Sequence, residues 1–236
     1  MEFSARRSDR TQPRQTLETG NGILRALSPD SLSALSADLD LVTLETRQVL
    51  SAVGEPPEHV YFLEGGIVSF TLELPDSGLV EFGVIGREGL SSYTALRAGR
   101  RQPVSSTVQV GGSEAYRISA ERLRHRIRQL PDLYDAIHDA LYQLMGQLAL
   151  TAASNARHGL AARMSRWLLL CDERLDGDEI PLTHEFLARV LGSQRTSATS
   201  MLHILEGEGA IRSRRGRVRI VDRERLKRFA GEAYLG

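Results

Sequence analysis

The stretch Leu182 to Leu205, LTHEFLARVLGSQRTSATSMLHIL, constrains the fold more than any other part of the chain. Leu187, Leu191, Ala198, Met201, Leu202 and Leu205 recur at three- and four-residue steps, so the spacing predicts two amphipathic helices. Gly192 parts them, followed by Ser193, a side chain able to cap the second helix. Ala188 lies four residues before Gly192, where two steeply crossing helices leave room only for a small side chain. That is the spacing of a helix-turn-helix, whose second helix lies in a DNA major groove. This second helix sets Gln194, Arg195, Thr196, Thr199, Ser200 and His203 on its outer face, all able to hydrogen-bond bases or phosphates. Thr183, His184 and Ser193, near the helix starts, join them as candidate DNA contacts. The same residues also fit an ordinary helical hairpin with a polar face.

The residues that follow favour DNA. Ile211 to Val221, IRSRRGRVRIV, is two short β-prone runs around Arg-Arg-Gly-Arg, with five arginines and no acid. Gly216 suits a tight turn, and the alternation of Val218 and Ile220 suits a half-buried strand. A cationic hairpin directly after a helix-turn-helix is a wing. Its Arg214, Arg215 and Arg217 are expected to meet phosphates or the minor groove.

At 236 residues the chain has room for two domains. Its net charge is zero, so no global field draws it to nucleic acid, but the charge is unevenly spread. Residues 157–236 hold 15 Lys plus Arg against 11 Asp plus Glu, which makes the front of the chain the acidic part. A single cysteine, Cys171, sits in an apolar run and is expected in the core. Alone it cannot build a disulfide, a four-cysteine iron–sulfur cluster or a zinc finger. No apolar run approaches ~18 residues and no signal peptide opens the chain, so a cytoplasmic protein with no membrane partner is expected.

Residues 1–20 are polar with mixed charge and read as a flexible tail. Two short helices are expected over Ile23 to Ala37. From Leu41 to Ser119 the pattern turns to period two, with strands expected at Leu41–Leu44, Val60–Leu63, Ile67–Leu74, Val80–Ile85, Ser106–Val110 and Glu114–Ile118. Glycine- and proline-rich turns separate them, which argues a β-roll. Gly86 to Leu96 interrupts the strands as a loop or short helix, a place to cradle a small ligand. A metal enzyme of the cupin kind would need several histidines there, and the roll offers only His59.

Helix is expected again at Glu121–Ile127 and at Asp132–Asn155, where Tyr134, Ile137, Leu141, Leu144, Leu148, Thr151 and Asn155 form a coiled-coil-like seam. This face either packs on its own roll or meets a second copy. The length favours a dimer contact through Ile137, Leu141, Leu144 and Leu148. The expected fold is therefore α+β: an antiparallel, jelly-roll-like β-roll, a long dimerisation helix and a C-terminal winged helix-turn-helix. The divisions fall at 1–20 (tail), 21–130 (roll), 131–156 (helix) and 157–236 (winged helix).

This order resembles the Crp/Fnr family of bacterial transcription regulators over residues ~22–232. The resemblance rests on LARVLGSQRTSATSMLHILEGEGAI with the arginine-rich wing, on Leu63-Glu64-Gly65-Gly66-Ile67-Val68, and on Val80 to Leu90. It implies a homodimer on a near-palindromic site, contact with RNA polymerase, and a roll that senses a small effector. Members that bind cyclic AMP carry Gly-Glu in a phosphate cassette and Arg-Ser a few residues later. Here Arg87-Glu88-Gly89-Leu90 stands near the first place and Val104-Ser105-Ser106 near the second, without the pairing arginine. Arg87, Glu88, Gly89, Ser105 and Ser106 are thus the candidate effector pocket, and cyclic AMP is not the expected effector. Nor is an iron–sulfur cluster expected, since the clustered cysteines of oxygen-sensing members are missing. In the recognition helix Arg195 matches the family's first arginine. Thr196 replaces its glutamate and Ser200 its second arginine, which implies a different half-site. The other classes that fit are a ligand-binding roll whose helix-turn-helix contacts protein, and the cupin-like enzyme.

Overall fold

The computed structural model describes residues 17–75 and 78–234. Two antiparallel sheets face each other. One has the order β1 (Asp40–Leu44), β7 (Ser113–Ser119), β3 (His59–Leu63). The other has the order β2 (Val49–Ser51), β6 (Ser105–Val110), β4 (Ile67–Leu74), β5 (Gly78–Ile85). Leu44, Tyr61 and Leu63 from the first sheet interlock with Val68, Phe70, Ile85 and Val108 from the second. The expected strands all form. The three-residue β2 carries too little alternation to be read from sequence.

Each sheet then buries its outer face. Val60, Phe62 and Ile118 pack under α1 (Gly22–Arg25), α2 (Pro29–Ser36), α3 (Ala120–Ile127) and the first turns of α4 (Pro131–Arg157). Local chemistry starts these helices. The side chains of Asn21, Ser28 and Ser119 accept backbone N–H groups at the N-termini of α1, α2 and α3. On the second sheet, Ile67 and Val84 enter the core of the winged helix, built from α5 (Leu160–Asp172), β8 (Glu179–Pro181), α6 (His184–Val190), α7 (Arg195–Gly207), β9 (Ile211–Arg214), β10 (Arg217–Ile220) and α8 (Arg223–Ala230). The fold is therefore layered, with one half of the roll's outer surface serving as the floor of the C-terminal unit.

Residues 1–16 of the expected tail lie outside the described residues. Residues 17–20 are anchored rather than loose: Gly20 N donates to Glu64 at 2.5 Å, and Leu17 packs on the α1–α4 core. Between β5 and β6, Leu90 and Ala95 are fully buried, so the interruption there is a packed segment with one 3₁₀ turn, Thr94–Leu96.

The face of α4 expected to meet a second copy is turned inward. Ile137 and Leu144 are buried in the chain's own cores, and Leu141 is half-buried. Leu148 lies on Gly83 of β5, where a β-carbon would come within 2.6 Å of its Cδ2. Gln147 locks this packing: its amide accepts from Val84 N and donates to Val84 O, both at 2.9 Å, covering the edge of β5 as another strand would. The side of α4 that remains open carries Tyr134, Tyr142 and Met145, which are 48%, 78% and 59% exposed.

Candidate nucleic-acid interface

The turn between α6 and α7 is a Schellman closure. Ser193 N bonds to Ala188 O at 2.8 Å, Gly192 N bonds to Arg189 O at 3.1 Å, and Gly192 takes the positive φ of 56°. Ala188 is 4% exposed, as a close helix crossing requires. Arg163 of α5 donates to Leu191 O at 3.0 Å and pins the turn from behind. Ser193 does not cap α7. Its Oγ turns back toward Ala188 O at 3.5 Å, and Gln194 takes the N-cap position without a side-chain cap bond. The first N–H groups of α7 are therefore left without a side-chain acceptor, the arrangement that receives a phosphate.

Gln194, Arg195, Thr196, Ser200 and His203 are exposed along one side of α7, while Ala198, Leu202 and Leu205 are buried on the other. Thr199 is not free: its hydroxyl lies 3.1 Å from His184 Nδ1 and joins the start of α6 to the middle of α7. Thr183 caps α6 by accepting Phe186 N at 3.1 Å. Of the residues assigned to DNA on α6 and α7, His184, Ser193 and Thr199 are half-buried in the frame, Thr183 is exposed while capping α6, and the rest are presented to solvent.

The wing sheet has the order β8, β10, β9. Arg215 and Gly216 form the tip, Gly216 at φ 76°, between the paired Arg214 and Arg217. Arg214 and Arg215 are exposed, and neither side chain makes an ion pair or hydrogen bond among the described residues. Arg217 departs from the expectation. It donates to Glu179 of β8 at 2.8 Å, and this contact is the main cause holding the Glu179 carboxyl below its usual range. Arg219 pairs with Asp178 at 3.1 Å. Strand β8 is too short to show a period in sequence, so the placing of Glu179, and of Asp178 just before it, could not be foreseen. Helix α8 was not read from the sequence; Asp222 caps it, and Leu226 and Ala230 are its buried residues.

The five candidate effector residues do not converge. Arg87 turns outward. Its guanidinium holds Asp176 with both terminal nitrogens, and its Nε donates to Glu64 O. Glu88 accepts Arg174 Nε at 2.7 Å. Ser105 Oγ accepts Val53 N at 3.2 Å, and Ser106 shares a 2.6 Å hydroxyl contact with Ser51. Glu88 and Gly89 line one cavity, and Ser105 lines a separate groove under α6. Register explains the split: β6 meets β4 at Phe70 and Thr71 there, whereas β5 ends opposite Val68. Arg87 and Glu88 instead bind the segment after α5, tying the roll to the winged helix. A third tie, unforeseen in sequence, is Glu81 of β5. It accepts Trp167 Nε1 of α5 at 2.6 Å and Ser69 Oγ at 2.5 Å. Burial pushes its carboxyl up to about 7, against the lowering by these two donors.

Among the described residues, no group of three or more His, Cys, Asp or Glu side chains converges as a metal site requires, and no helix is long and apolar enough to cross a membrane.

Residues 162–229 match the Crp-like helix-turn-helix domain family. Over 219 residues the chain is 23% identical to a CRP-like cAMP-activated global transcriptional regulator of Mycobacterium tuberculosis, covering 89% of this chain and 96% of the relative. Over 200 residues it is 28% identical to the transcriptional regulator LdrP of Thermus thermophilus, covering 79% and 95%. Its fold is shared by the c-di-GMP responsive global regulator CLP of Xanthomonas campestris, with a TM-score of 0.67 at 20% identity over 82% of this chain and 99% of that one. Residues 162–229 thus form a Crp-like helix-turn-helix domain, and the chain as a whole is similar to Crp-like transcriptional regulators along nearly its full length.

Proposed function

We propose that the protein binds a near-palindromic DNA site as a homodimer and regulates transcription there, in contact with RNA polymerase, under control of a small-molecule effector. One observation carries this reading. The side of α7 bearing Gln194, Arg195, Thr196 and Ser200 is solvent-exposed, in the same compact unit as a wing tip whose Arg214 and Arg215 are unpaired. Arg195 has the fork that grips a guanine, and the two wing arginines sit where phosphates flank a groove. Selection from random duplexes tests it. The expected product is an inverted repeat whose binding weakens steeply with salt. Salt-independent retention of duplex, or none, points instead to a helix-turn-helix that contacts protein.

The homodimer is carried by the open side of α4 rather than by Ile137, Leu141, Leu144 and Leu148. Tyr134, Tyr142 and Met145 stand exposed there, with Gly146, Ala149 and Ala153 allowing close approach. Replacing Tyr142 and Met145 with glutamate is expected to give folded monomers in sedimentation, since like charges would face each other across the axis. A variant that stays dimeric removes α4 from this role.

Cyclic AMP, which activates the M. tuberculosis relative, is not the effector in this reading. Arg87 is held by Asp176, and Arg101 donates to Gly54 O at 2.7 Å, so neither stands in for the arginine missing at Val104–Ser106. A buried cyclic phosphate would forfeit a contact of ~1.5–3 kcal/mol. Calorimetric titration is expected to show no micromolar binding.

A further inference from the structure

Between the turn after β5, the middle of α4 and the end of α5 lies a cavity of about 240 Å³. It exceeds many times over the ~10–15 Å³ that admits one water. Arg166 of α5 lines it and is only 7% exposed. A guanidinium offers five N–H donors, and Arg166 uses one well-formed bond, from NH2 to Gln147 O at 3.2 Å. No carboxylate among the described residues pairs with it. The acids that share the cavity wall are engaged elsewhere. Glu88 holds Arg174 at 2.7 Å, and Glu173 holds Arg223 at 2.9 Å and the Tyr234 hydroxyl. Burial lowers the pKa of Arg166, neighbouring Arg174 lowers it further, and Glu173 compensates only in part. A buried guanidinium without a counter-ion is costly unless something supplies one.

Two further features point to a ligand. The Tyr93 hydroxyl, on the same cavity, is buried and has no hydrogen bond of normal geometry among the described residues. Ile85, Leu144 and Leu170 provide an apolar wall opposite the polar groups. We propose that this cavity binds a small organic anion, its carboxylate or phosphate head on Arg166 and its short apolar body against Leu144 and Leu170. The ligand would touch the roll, α4 and α5 at once, so occupancy bears on how the winged helix sits on the roll. This deepens the effector role proposed above and rests on it for its purpose, though the binding itself does not depend on that role.

The test is calorimetry on the full-length protein with hexanoate, benzoate and hexyl phosphate as anionic probes and hexanol as the neutral match. At least one anion is expected to bind once per chain and hexanol at least tenfold more weakly. Arg166→Met should lose the bound anion by tenfold or more. Gln143→Trp, at an exposed position on the cavity wall, should fill the space and lose it too with its melting temperature kept, which guards against a misfolded Arg166 variant. Anions that bind no better than hexanol, or that bind Gln143→Trp as tightly as the native chain, overturn the site. Operator affinity measured on the same samples separates the two claims. Anion binding that leaves operator affinity unchanged keeps the site and removes its effector role.

Discussion

In the wing, Arg214 and Arg215 point into solvent without an acidic partner among the described residues. Along the seam between roll and winged helix, Arg87 holds Asp176 and Arg174 holds Glu88, and inside the winged helix Arg223 bridges Asp172 and Glu173. A solvated arginine costs the fold little and keeps its charge available for phosphate. These half-buried arginines are matched within the chain, and each match joins residues far apart in sequence. The carboxylates divide in the same way. Glu179 on the wing is exposed and lowered by Arg217, whereas Glu81 in the seam is buried and raised to about 7. The same residue types thus stay open to solvent in one region and hold the fold together in the other, and burial sets which.

The largest expected effect tests the seam through Glu81. Its folded-state pKa of about 7 lies above the ordinary 4.5, so between these values the folded chain retains a proton that the unfolded chain has released. The contribution to stability is full below about 4.5, falls as pH rises toward about 7, and is flat above, a change of roughly 3 kcal/mol. Glu81→Gln should remove that slope. Urea midpoints of both proteins from pH 4.5 to 7.5 measure it, and parallel curves would show that burial does not hold the proton. Glu179 has the opposite sign: its contribution is present at neutral pH and is lost as pH falls through its lowered pKa.

Next comes Arg174, whose side chain is 11% exposed. Arg174→Met leaves Glu88 unmatched in the seam, at a cost between the ~1 kcal/mol of an exposed pair and the ~3 kcal/mol of a buried one. Thermal unfolding reads this loss, and a variant as stable as the native chain would erase the contrast with the wing. On the DNA side, Arg195→Ala should cost about 1–3 kcal/mol at the preferred operator and far less on random duplex. Equal loss on both would make Arg195 a backbone contact. The smallest effect belongs to Arg215→Ala. It should weaken operator and random duplex alike, lower the salt slope by roughly 1, and leave folding stability within about 0.5 kcal/mol. A drop in stability instead would mean the wing tip belongs with the seam.

Much of the winged helix was legible because its signals are local. Gly192 stops α6 within one turn, Ala188 marks the close crossing, and the arginine-rich tip turns at Gly216. The roles of Thr199 and His184 were not legible, because their contact spans two helices 15 residues apart. For α4, spacing announced an apolar face without naming its partner. Ile137 and Leu144 fit a second helix or a sheet equally well, and the roll took them.

The sequence by itself determined the order of roll, long helix and winged helix, the turn positions and the exposed polar face of α7. Each follows from caps, glycines and periodicities that act within a few residues of one another. Only the tertiary structure decided which side of α4 stays open, that Arg87 and Glu88 pair with Asp176 and Arg174, and that Arg166 is buried without a counter-ion. Arg87 and Asp176 are 89 residues apart, and nothing in the neighbourhood of either records the other. Burial and charge matching are set by how layers stack, and stacking sums over the whole chain.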